Sequence, residues 1–228
     1  MVRNGKRETG NGKRIGMLIA LPPIYPITDK QLARRTSHLS IVKELVRGGA
    51  RFIQIRDKVT PAGELLRDLA QCVDFALSRG VTLIVNDRCD LALSSGAMGV
   101  HLGQEDLPPG AARSLLGRGK IIGFSTHSLA QIRQSSRLPI DYIGFGPVYG
   151  TSTKNNPSPT VGIKNLVRAC KSVDMPVVAI GGIGIEQVRA VLEAGAASVA
   201  VISALMTSGN IARQMERFLE AAILTPGS

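Results

Sequence analysis

The sequence has no tryptophan, few aromatic residues and only three cysteines. Aromatic residues make up 4% of the 228 residues and hydrophobic residues 44%, so we expect a core that is mainly aliphatic. Cys72, Cys89 and Cys170 are odd in number and show no CxxC or Cys/His spacing. This excludes a disulfide framework and a cysteine metal site, and it predicts reduced thiols in a cytoplasmic protein.

Long apolar runs are also missing. The longest stretch, residues 15–27, is interrupted by Pro22, Pro23 and Pro26. It is too short to cross a bilayer, and it lacks the small-residue site at which a signal peptide is cleaved. We therefore expect no membrane partner.

Acidic residues are scarce relative to basic ones. The chain has 28 Lys and Arg against 17 Asp and Glu, and its formal net charge is +11. Part of this excess comes from the first fourteen positions, where Glu8 is the only acidic residue. The other basic residues are scattered and are not interleaved with aromatic ones, so we expect no nucleic-acid partner. Residues 1–20 are predicted to be a disordered basic extension, and residues 21–228 to form one catalytic domain.

Short β-branched runs alternate with amphipathic helical stretches along the chain. This alternation predicts βαβ units and a parallel sheet. Eight strands are predicted, at residues 24–28, 52–56, 82–86, 99–102, 121–125, 142–146, 177–180 and 199–203. Eight units favour an α/β fold, a single (β/α)8 TIM barrel, whose site lies at the carboxyl ends of the strands. An open doubly wound sheet is the alternative, but no GxGxxG motif follows the first strand.

Capping signals place several helix ends. A helix over residues 61–78 is predicted to begin with Thr60 as N-cap and Pro61 at its first helical position. A second helix is predicted over residues 185–193. Glycines that precede a strand are predicted to end four helices in the left-handed conformation. These are Gly49, Gly80, Gly96 and Gly195.

Polar residues follow the apolar part of the second strand. Gln54, Arg56 and Lys58 alternate with Ile53 and Ile55, so the two sets are predicted to lie on opposite faces. A guanidinium fork beside a mobile ammonium group suits a phosphate or a pyrophosphate. A solvated strand end is the alternative.

Two acidic residues follow the third and fourth strands. Asp87 and Asp106 are expected to approach each other across neighbouring strand ends. Two carboxylates ~4 Å apart repel by about 4 kcal/mol at an effective dielectric constant of about 20, so they need a proton or a cation between them. Oxygen ligands beside a phosphate site favour Mg²⁺. Alternatively, Asp87 caps the next helix and Asp106 orders the turn at residues 107–109.

The last three strands end in small and hydroxyl-bearing residues. Gly182 follows the seventh strand, and Ile202 and Ser203 close the eighth, where barrels often bind a phosphate. Thr151, Ser152 and Thr153 add hydroxyl groups in a loop that could close as a lid carrying Lys154, although a plain polar connection is the alternative.

Two histidines are candidates for bases. His101 is expected to point into the barrel, and His127 lies on the loop after the fifth strand. We favour a structural role for both over a catalytic one.

Taken in order, the motifs resemble those of thiamine-phosphate synthases. They are QIRDK at 54–58, ND at 86–87, GVHLGQED at 99–106, GFGPVYGTSTK at 144–154, IGGI at 180–183 and IS at 202–203. The resemblance implies a transferase that joins 4-amino-2-methyl-5-hydroxymethylpyrimidine diphosphate to hydroxyethylthiazole phosphate. Pyrophosphate would leave first, in a dissociative step, and thiamine monophosphate would form.

The resemblance also implies roles for individual residues. Asp87 and Asp106 would bind Mg²⁺, and Arg56, Lys58, Ser125 and Lys154 would act in catalysis. The pyrimidine diphosphate would be held by Gln54, Ile55, Arg56, Asp57, Lys58, Asn86, Ser125 and Lys154. The thiazole phosphate would be held by Thr151, Ser152, Thr153, Gly182, Ile202 and Ser203.

Two other functions stay open. A thiazole tautomerase resembles the synthase in fold and phosphate site but typically lacks the aspartate pair. A non-catalytic protein that binds phosphate ligands or nucleic acid would exploit the positive charge. The partners are otherwise expected to be small molecules, and homo-oligomerisation is left open.

Overall fold

The computed structural model describes residues 19–151 and 159–223. Eight parallel strands form one sheet in the order β1-β8-β7-β6-β5-β4-β3-β2. They are β1 (Ile24–Pro26), β2 (Phe52–Ile55), β3 (Thr82–Asn86), β4 (Gly99–Leu102), β5 (Ile121–Thr126), β6 (Tyr142–Phe145), β7 (Val177–Ile180) and β8 (Ser198–Val201). The sheet nearly closes on itself through a bridge between Ile27 and Gln54, where the N–H of Thr28 donates to the carbonyl of Gln54 at 2.8 Å. The predicted (β/α)8 barrel is confirmed.

Helices alternate with the strands around the sheet. They are α1 (Lys30–Ala33), α2 (His38–Arg47), α3 (Ala62–Leu77), α4 (Cys89–Ser94), α5 (Pro109–Leu116), α6 (Leu129–Ser135), α7 (Gly162–Lys171), α8 (Val188–Glu193), α9 (Ser203–Met206) and α10 (Ile211–Ile223). A short 3₁₀ turn, Ile185–Gln187, precedes α8. Within the described part of the chain, we find no helix with the length and hydropathy needed to span a membrane.

The strand residues alternate between two packing layers. One side-chain set packs inside the barrel and includes Tyr25, Phe52 and Tyr142. The other set packs between the sheet and the helices and includes Ile53, Ile55 and Val85. The few aromatic residues are not spread evenly, because the rings of Tyr25 and Phe52 meet edge to face inside the barrel at 4.7 Å between centroids. Such a pair contributes roughly 0.5–1.5 kcal/mol beyond its buried area.

The helix ends agree with the glycine signals but not with the Thr60 cap. Gly49, Gly80, Gly96 and Gly195 all have positive φ angles, as predicted. The N-cap of α3 is Pro61, without a side-chain hydrogen bond. The predicted Thr60 cap was therefore wrong, because α3 begins at Ala62 and Thr60 lies one residue before its N-cap. The hydroxyl of Thr60 donates to Asp57 Oδ2 at 2.7 Å.

The end of the eighth strand was also placed too late in the sequence. Strand β8 ends at Val201, which pairs with Pro26 of β1. Ile202 is therefore the N-cap of α9, and Ser203 is its first residue. Both residues therefore lie at the carboxyl end of the strand, where the chain turns from β8 into α9.

Candidate active site

Strand β2 ends with side chains on alternate sides, as the sequence predicts. Gln54 is 2% exposed and its Nε2 donates to the hydroxyl of Tyr25 at 2.9 Å inside the barrel. Arg56 Nη1 donates to Asp29 Oδ2 at 2.8 Å. Lys58 lies further out, with its Nζ 2.8 Å from Asp87 Oδ2 and its side chain 57% exposed. Lys58 is therefore the more accessible of the two cations at this strand end.

The structure does not bring the side chains of Ile55 and Asp57 to the barrel mouth. Ile55 is buried in the layer between sheet and helices. The Asp57 side chain is 2% exposed and is paired with Lys30 at 3.3 Å. Burial alone raises the pKa of Asp57, but hydrogen bonds from the N–H groups of Thr60 and Val59 outweigh it and hold that pKa well below its ordinary value. Contact between either residue and a substrate would have to use the backbone.

A buried histidine, which the sequence did not single out, supports this strand end. Thr28 Oγ1 accepts from the N–H of Arg56 at 3.2 Å and lies 2.8 Å from Nδ1 of His38. Asp57 Oδ2 lies 3.1 Å from Nε2 and can only accept, so the neutral imidazole carries its hydrogen on Nε2 and its Nδ1 accepts from the Thr28 hydroxyl. This network ties the backbone of β2 to α2. The one signal for His38 in the sequence is its spacing, since it lies three and four residues before Ile41 and Val42 on the buried face of α2.

His38 should make the stability depend on pH. Burial lowers the pKa of His38, although Asp57 and Asp68 oppose this and Lys30 adds to it. In the unfolded chain the His38 imidazole takes up a proton near pH 6.5, whereas in the folded protein it does so only at lower pH. The contribution of His38 to stability is therefore lost as the pH falls below about 6.5. The loss is at most ~1.4 kcal/mol per pH unit. Urea unfolding between pH 7.5 and 5 should show a steeper decline for the wild type than for His38→Gln. Parallel declines would contradict the assignment.

Asp87 and Asp106 meet across the ends of β3 and β4. Asp106 Oδ2 accepts from the N–H of Gly103 at 2.6 Å. Burial raises the pKa of Asp106, the Gly103 hydrogen bond opposes this rise, and the neighbouring carboxyl of Asp87 raises the pKa further. Asn86, the last residue of β3, pairs in register with His101, so it also lies at this end of the barrel.

Asp87 does not cap the helix that follows it. Its φ angle is +65°, and its N–H donates to the carbonyl of His101 at 2.8 Å. The N-cap of α4 is Arg88, which makes no side-chain capping bond. The capping alternative is therefore not supported, whereas the bond from Gly103 to Asp106 agrees with a role for Asp106 in ordering its own loop. A left-handed aspartate is a mildly strained conformation, of the kind that is more frequent at functional sites.

The two carboxylates fit a magnesium ion in chemistry but do not complete its coordination. They are oxygen donors held close together, which suits a hard cation. Across residues 19–151 and 159–223, no group of three or more His, Cys, Asp or Glu side chains could hold a metal ion. Water and substrate oxygens would therefore have to supply the other ligands, as is usual for Mg²⁺ beside phosphates.

A cavity of about 480 Å³ lies at the ends of β5 to β8. Five residues predicted to bind substrate line it, namely Ser125, Thr151, Gly182, Ile202 and Ser203. Gly182 has a φ angle of +61°, and a Cβ there would collide with the backbone of Gly150. The close approach of these two segments thus requires glycine at position 182. Ser152, Thr153 and Lys154 lie outside the described residues, so their roles and the lid stay predictions.

The two histidines predicted to be structural are both engaged. His127 Nδ1 lies 2.7 Å from the carbonyl oxygen of Gly146. His101 lies between two hydroxyl groups, with Nδ1 3.0 Å from Tyr142 Oη and Nε2 2.8 Å from Ser125 Oγ. The alternation of apolar and polar residues predicted that His101 points inward, but nothing in the sequence indicated its partners, because they lie 41 and 24 residues away.

Comparison with known proteins assigns the chain to a family. Residues 24–205 match the sequence model of thiamine monophosphate synthase. A thiamine-phosphate synthase of Methanospirillum hungatei is 43% identical over 201 residues, which cover 88% of this chain and 97% of that protein. A second thiamine-phosphate synthase, from Azorhizobium caulinodans, is 37% identical, and the match covers 87% of this chain and 95% of that protein.

A solved structure agrees with both matches. The thiamine phosphate pyrophosphorylase of Pyrococcus furiosus superposes with a TM-score of 0.80 at 33% sequence identity, over 88% of this chain and 96% of that one. The region that matches the family model, residues 24–205, contains all eight strands. The two relatives match this chain over nearly their whole length. The chain therefore belongs to the thiamine monophosphate synthase family.

Proposed function

We propose that this chain condenses 4-amino-2-methyl-5-hydroxymethylpyrimidine diphosphate with hydroxyethylthiazole phosphate, which gives thiamine monophosphate and pyrophosphate. One observation carries the proposal beyond the family match. A group of cations and carboxylates at the ends of β2 to β4 and a cavity at the ends of β5 to β8 share one mouth. Two phosphorylated substrates would need two such neighbouring sites.

The residues at β2 to β4 suit the diphosphate. Arg56 would offer a guanidinium fork, and Lys58 and Lys154 would add ammonium groups that follow the leaving pyrophosphate. Asn86 and Gln54 would contact the substrate from the neighbouring strand ends. Asp87 and Asp106 would hold Mg²⁺, which when bound would neutralise part of the charge on the departing pyrophosphate.

The cavity at β5 to β8 suits the thiazole phosphate. The hydroxyl of Thr151 and the backbone around Gly182, Ile202 and Ser203 would bind its phosphate, together with Ser152 and Thr153. The thiazole nitrogen is neutral and attacks the methylene carbon as the carbon–oxygen bond to pyrophosphate breaks. No protein nucleophile is needed, so the residues act by positioning the substrates and stabilising the leaving group.

The aspartate pair favours this reaction over that of a thiazole tautomerase. An isomerase of a single thiazole phosphate has no use for Lys58, Asp87 and Asp106 clustered at the mouth. A binding protein that exploits the net charge would be distinguished by filter binding at rising salt. Tight, steeply salt-dependent binding of DNA or RNA without turnover would favour that alternative.

The direct test is release of pyrophosphate with both substrates present. We expect pyrophosphate release to require both substrates, and thiamine monophosphate to form in an equal amount. Release should also require Mg²⁺, because the carboxylate pair provides a site for the ion. Excess chelator should abolish it, and added Mg²⁺ should restore it. Full activity in excess chelator would remove the metal from the proposal, and no product under any condition would remove the function.

We propose that the protein acts in the cytoplasm, where thiols stay reduced, and its free cysteines support this proposal. Cys72, Cys89 and Cys170 are all free thiols. Burial raises the pKa of Cys170 to about 11, so this thiol is protonated and unreactive at neutral pH. Homo-oligomerisation stays a prediction.

A further inference from the structure

Asp57 lies in the sequence between the two cations of the second strand end, Arg56 and Lys58. The resemblance places Asp57 among the residues that hold the pyrimidine diphosphate. Its side chain is only 2% exposed, however, whereas the side chain of Lys58 next to it is 57% exposed. A carboxylate is also a poor partner for a diphosphate, because like charges repel. The side chain of Asp57 therefore needs a different role.

The carboxylate of Asp57 closes a turn over residues 57–60. Its Oδ1 accepts from the N–H groups of Val59 and Thr60, at 3.0 and 2.9 Å. Its Oδ2 accepts from the hydroxyl of Thr60 at 2.7 Å. Aspartate often orders a turn in this way, by accepting from backbone N–H groups that follow it closely. Lys58 lies inside the turn, so these bonds set the direction in which its side chain leaves the backbone.

The same carboxylate fastens the turn to the helices α1 and α2. Nε2 of His38, on α2, lies 3.1 Å from Asp57 Oδ2 and donates to it. Nζ of Lys30, on α1, lies 3.3 Å from the same oxygen, and the Lys30 side chain is 14% exposed. Hydrogen bonds to a charged group are stronger than those between neutral groups, and burial shields them from water. Asp57 therefore anchors the turn as well as closing it.

Apolar packing does not hold the turn in place of these bonds. Val59 is 66% exposed, and Lys58 and Pro61 are exposed as well. A segment with little buried apolar surface opens easily once its hydrogen bonds are lost. The conformation of the turn thus depends on the carboxylate of Asp57.

The other cation of the strand end is held separately. The N–H of Arg56 donates to Thr28 Oγ1 at 3.2 Å, and its Nη1 donates to Asp29 Oδ2 at 2.8 Å. Neither bond uses Asp57. Lys58 is therefore the cation whose position depends on Asp57.

We infer that Asp57 is a positioning residue for Lys58, because its carboxylate holds the turn from which the ammonium group of Lys58 reaches the leaving pyrophosphate. This inference rests on the proposed function, in which Lys58 stabilises that group. Nζ of Lys58 lies 2.8 Å from Asp87 Oδ2 at the mouth, so the fixed turn delivers the charge to the predicted diphosphate site. A charge that is already in place stabilises a transition state better than one that must first be ordered.

A double-mutant cycle of Asp57→Ala and Lys58→Ala separates this role from a general structural one. We expect Asp57→Ala alone to lower kcat for pyrophosphate release about tenfold or more, because a misplaced ammonium group stabilises the leaving group less. In the Lys58→Ala background, the same substitution should change kcat less than about twofold, since no ammonium group is left to position. An equal loss in both backgrounds, or no loss in either, would overturn the inference.

Asp141→Ala is the matched control for Asp57→Ala. Asp141 is also a buried aspartate that accepts from a backbone N–H, that of Ile122 at 2.7 Å, but it precedes β6 at the end of the barrel opposite the mouth. Its removal should leave kcat within about twofold of the wild type in both backgrounds. A loss of kcat as large as that of Asp57→Ala would show that destabilisation lowers the rate, and it would overturn the inference.

Amide hydrogen exchange on the ligand-free protein gives a readout that does not require activity. We expect the N–H groups of Val59 and Thr60 to exchange about tenfold faster or more in Asp57→Ala than in the wild type, because both lose their acceptor. Unchanged exchange at these two positions would also overturn the inference, since the turn would then persist without Asp57.

Binding of inorganic pyrophosphate with Mg²⁺, measured by calorimetry, separates the role of Asp57 from the proposed function. Asp57→Ala should weaken this binding in the wild-type background and leave it unchanged in the Lys58→Ala background. Thiamine monophosphate formation by the wild type, together with additive losses in the cycle, would remove the role of Asp57 and leave the proposed function standing. If the wild type formed no product, the proposed function would fail, and the binding cycle would decide the role of Asp57 by itself.

Discussion

Lys58→Ala is expected to lower kcat by about 100-fold or more. The ammonium group of Lys58 lies 2.8 Å from Asp87 Oδ2 and its side chain is more than half exposed, so it can follow the charge that develops on pyrophosphate. Because that charge is larger in the transition state than in the bound substrate, kcat should fall more than KM rises. Lys154→Ala is predicted to have a similar effect. Steady-state rates of pyrophosphate release provide the measurement.

The control for this prediction is a lysine at the other end of the barrel. Lys171 is an exposed residue at the carboxyl end of α7, just before β7 begins. Lys171→Ala removes the same charge without touching the mouth, so its kcat should remain within about twofold of the wild type. Near-normal kcat in both Lys58→Ala and Lys154→Ala would contradict the placement of the pyrophosphate at this strand end.

Asp141→Ala is expected to lower the free energy of unfolding by about 3–5 kcal/mol. The carboxylate of Asp141 is fully buried and lies 2.7 Å from Nη2 of Arg113, whose side chain is 9% exposed. It also accepts from the N–H of Ile122 at 2.7 Å. Removing it leaves a buried guanidinium without its counter-ion and a strand N–H without this acceptor. Urea unfolding followed by far-UV circular dichroism would measure the loss.

An exposed ion pair gives the matched comparison. Arg189 and Glu193 pair on α8 with a distance of 2.7 Å, and their side chains are 36% and 62% exposed. Glu193→Ala should therefore cost less than about 1 kcal/mol. Asp141 precedes β6 and so lies at the end of the barrel opposite the mouth, which predicts near-normal kcat for the folded Asp141→Ala protein. A loss as small as that of Glu193→Ala would show that Arg113 finds enough partners without Asp141.

Local pattern was enough to predict the barrel. The strands are short β-branched runs, and the positive φ of glycines such as Gly80 and Gly195 marks helix ends that sequence alone can reveal, because only glycine adopts that conformation without strain. Strand ends were predicted less well. Strand β8 ends two residues earlier than predicted, because α9 begins at Ser203.

The candidate site was predictable to the extent that it follows strand ends. Asp87 and Asp106 could be expected to meet because parallel strands end at one edge. The support for these residues could not be expected. His38, for example, acts on Asp57 and Thr28, and its packing on those residues depends on how α2 lies against the sheet.

The sequence by itself determined the eight-unit rhythm, the alternation of inward and outward side chains, and the kinds of residue at the mouth, because each of these depends on neighbours a few positions apart. Only the tertiary structure decided which polar atoms pair across the barrel. The bond between Tyr25 and Tyr142 joins residues 117 positions apart, and no local preference specifies such a contact. Closure of the barrel brings these groups within hydrogen-bond distance.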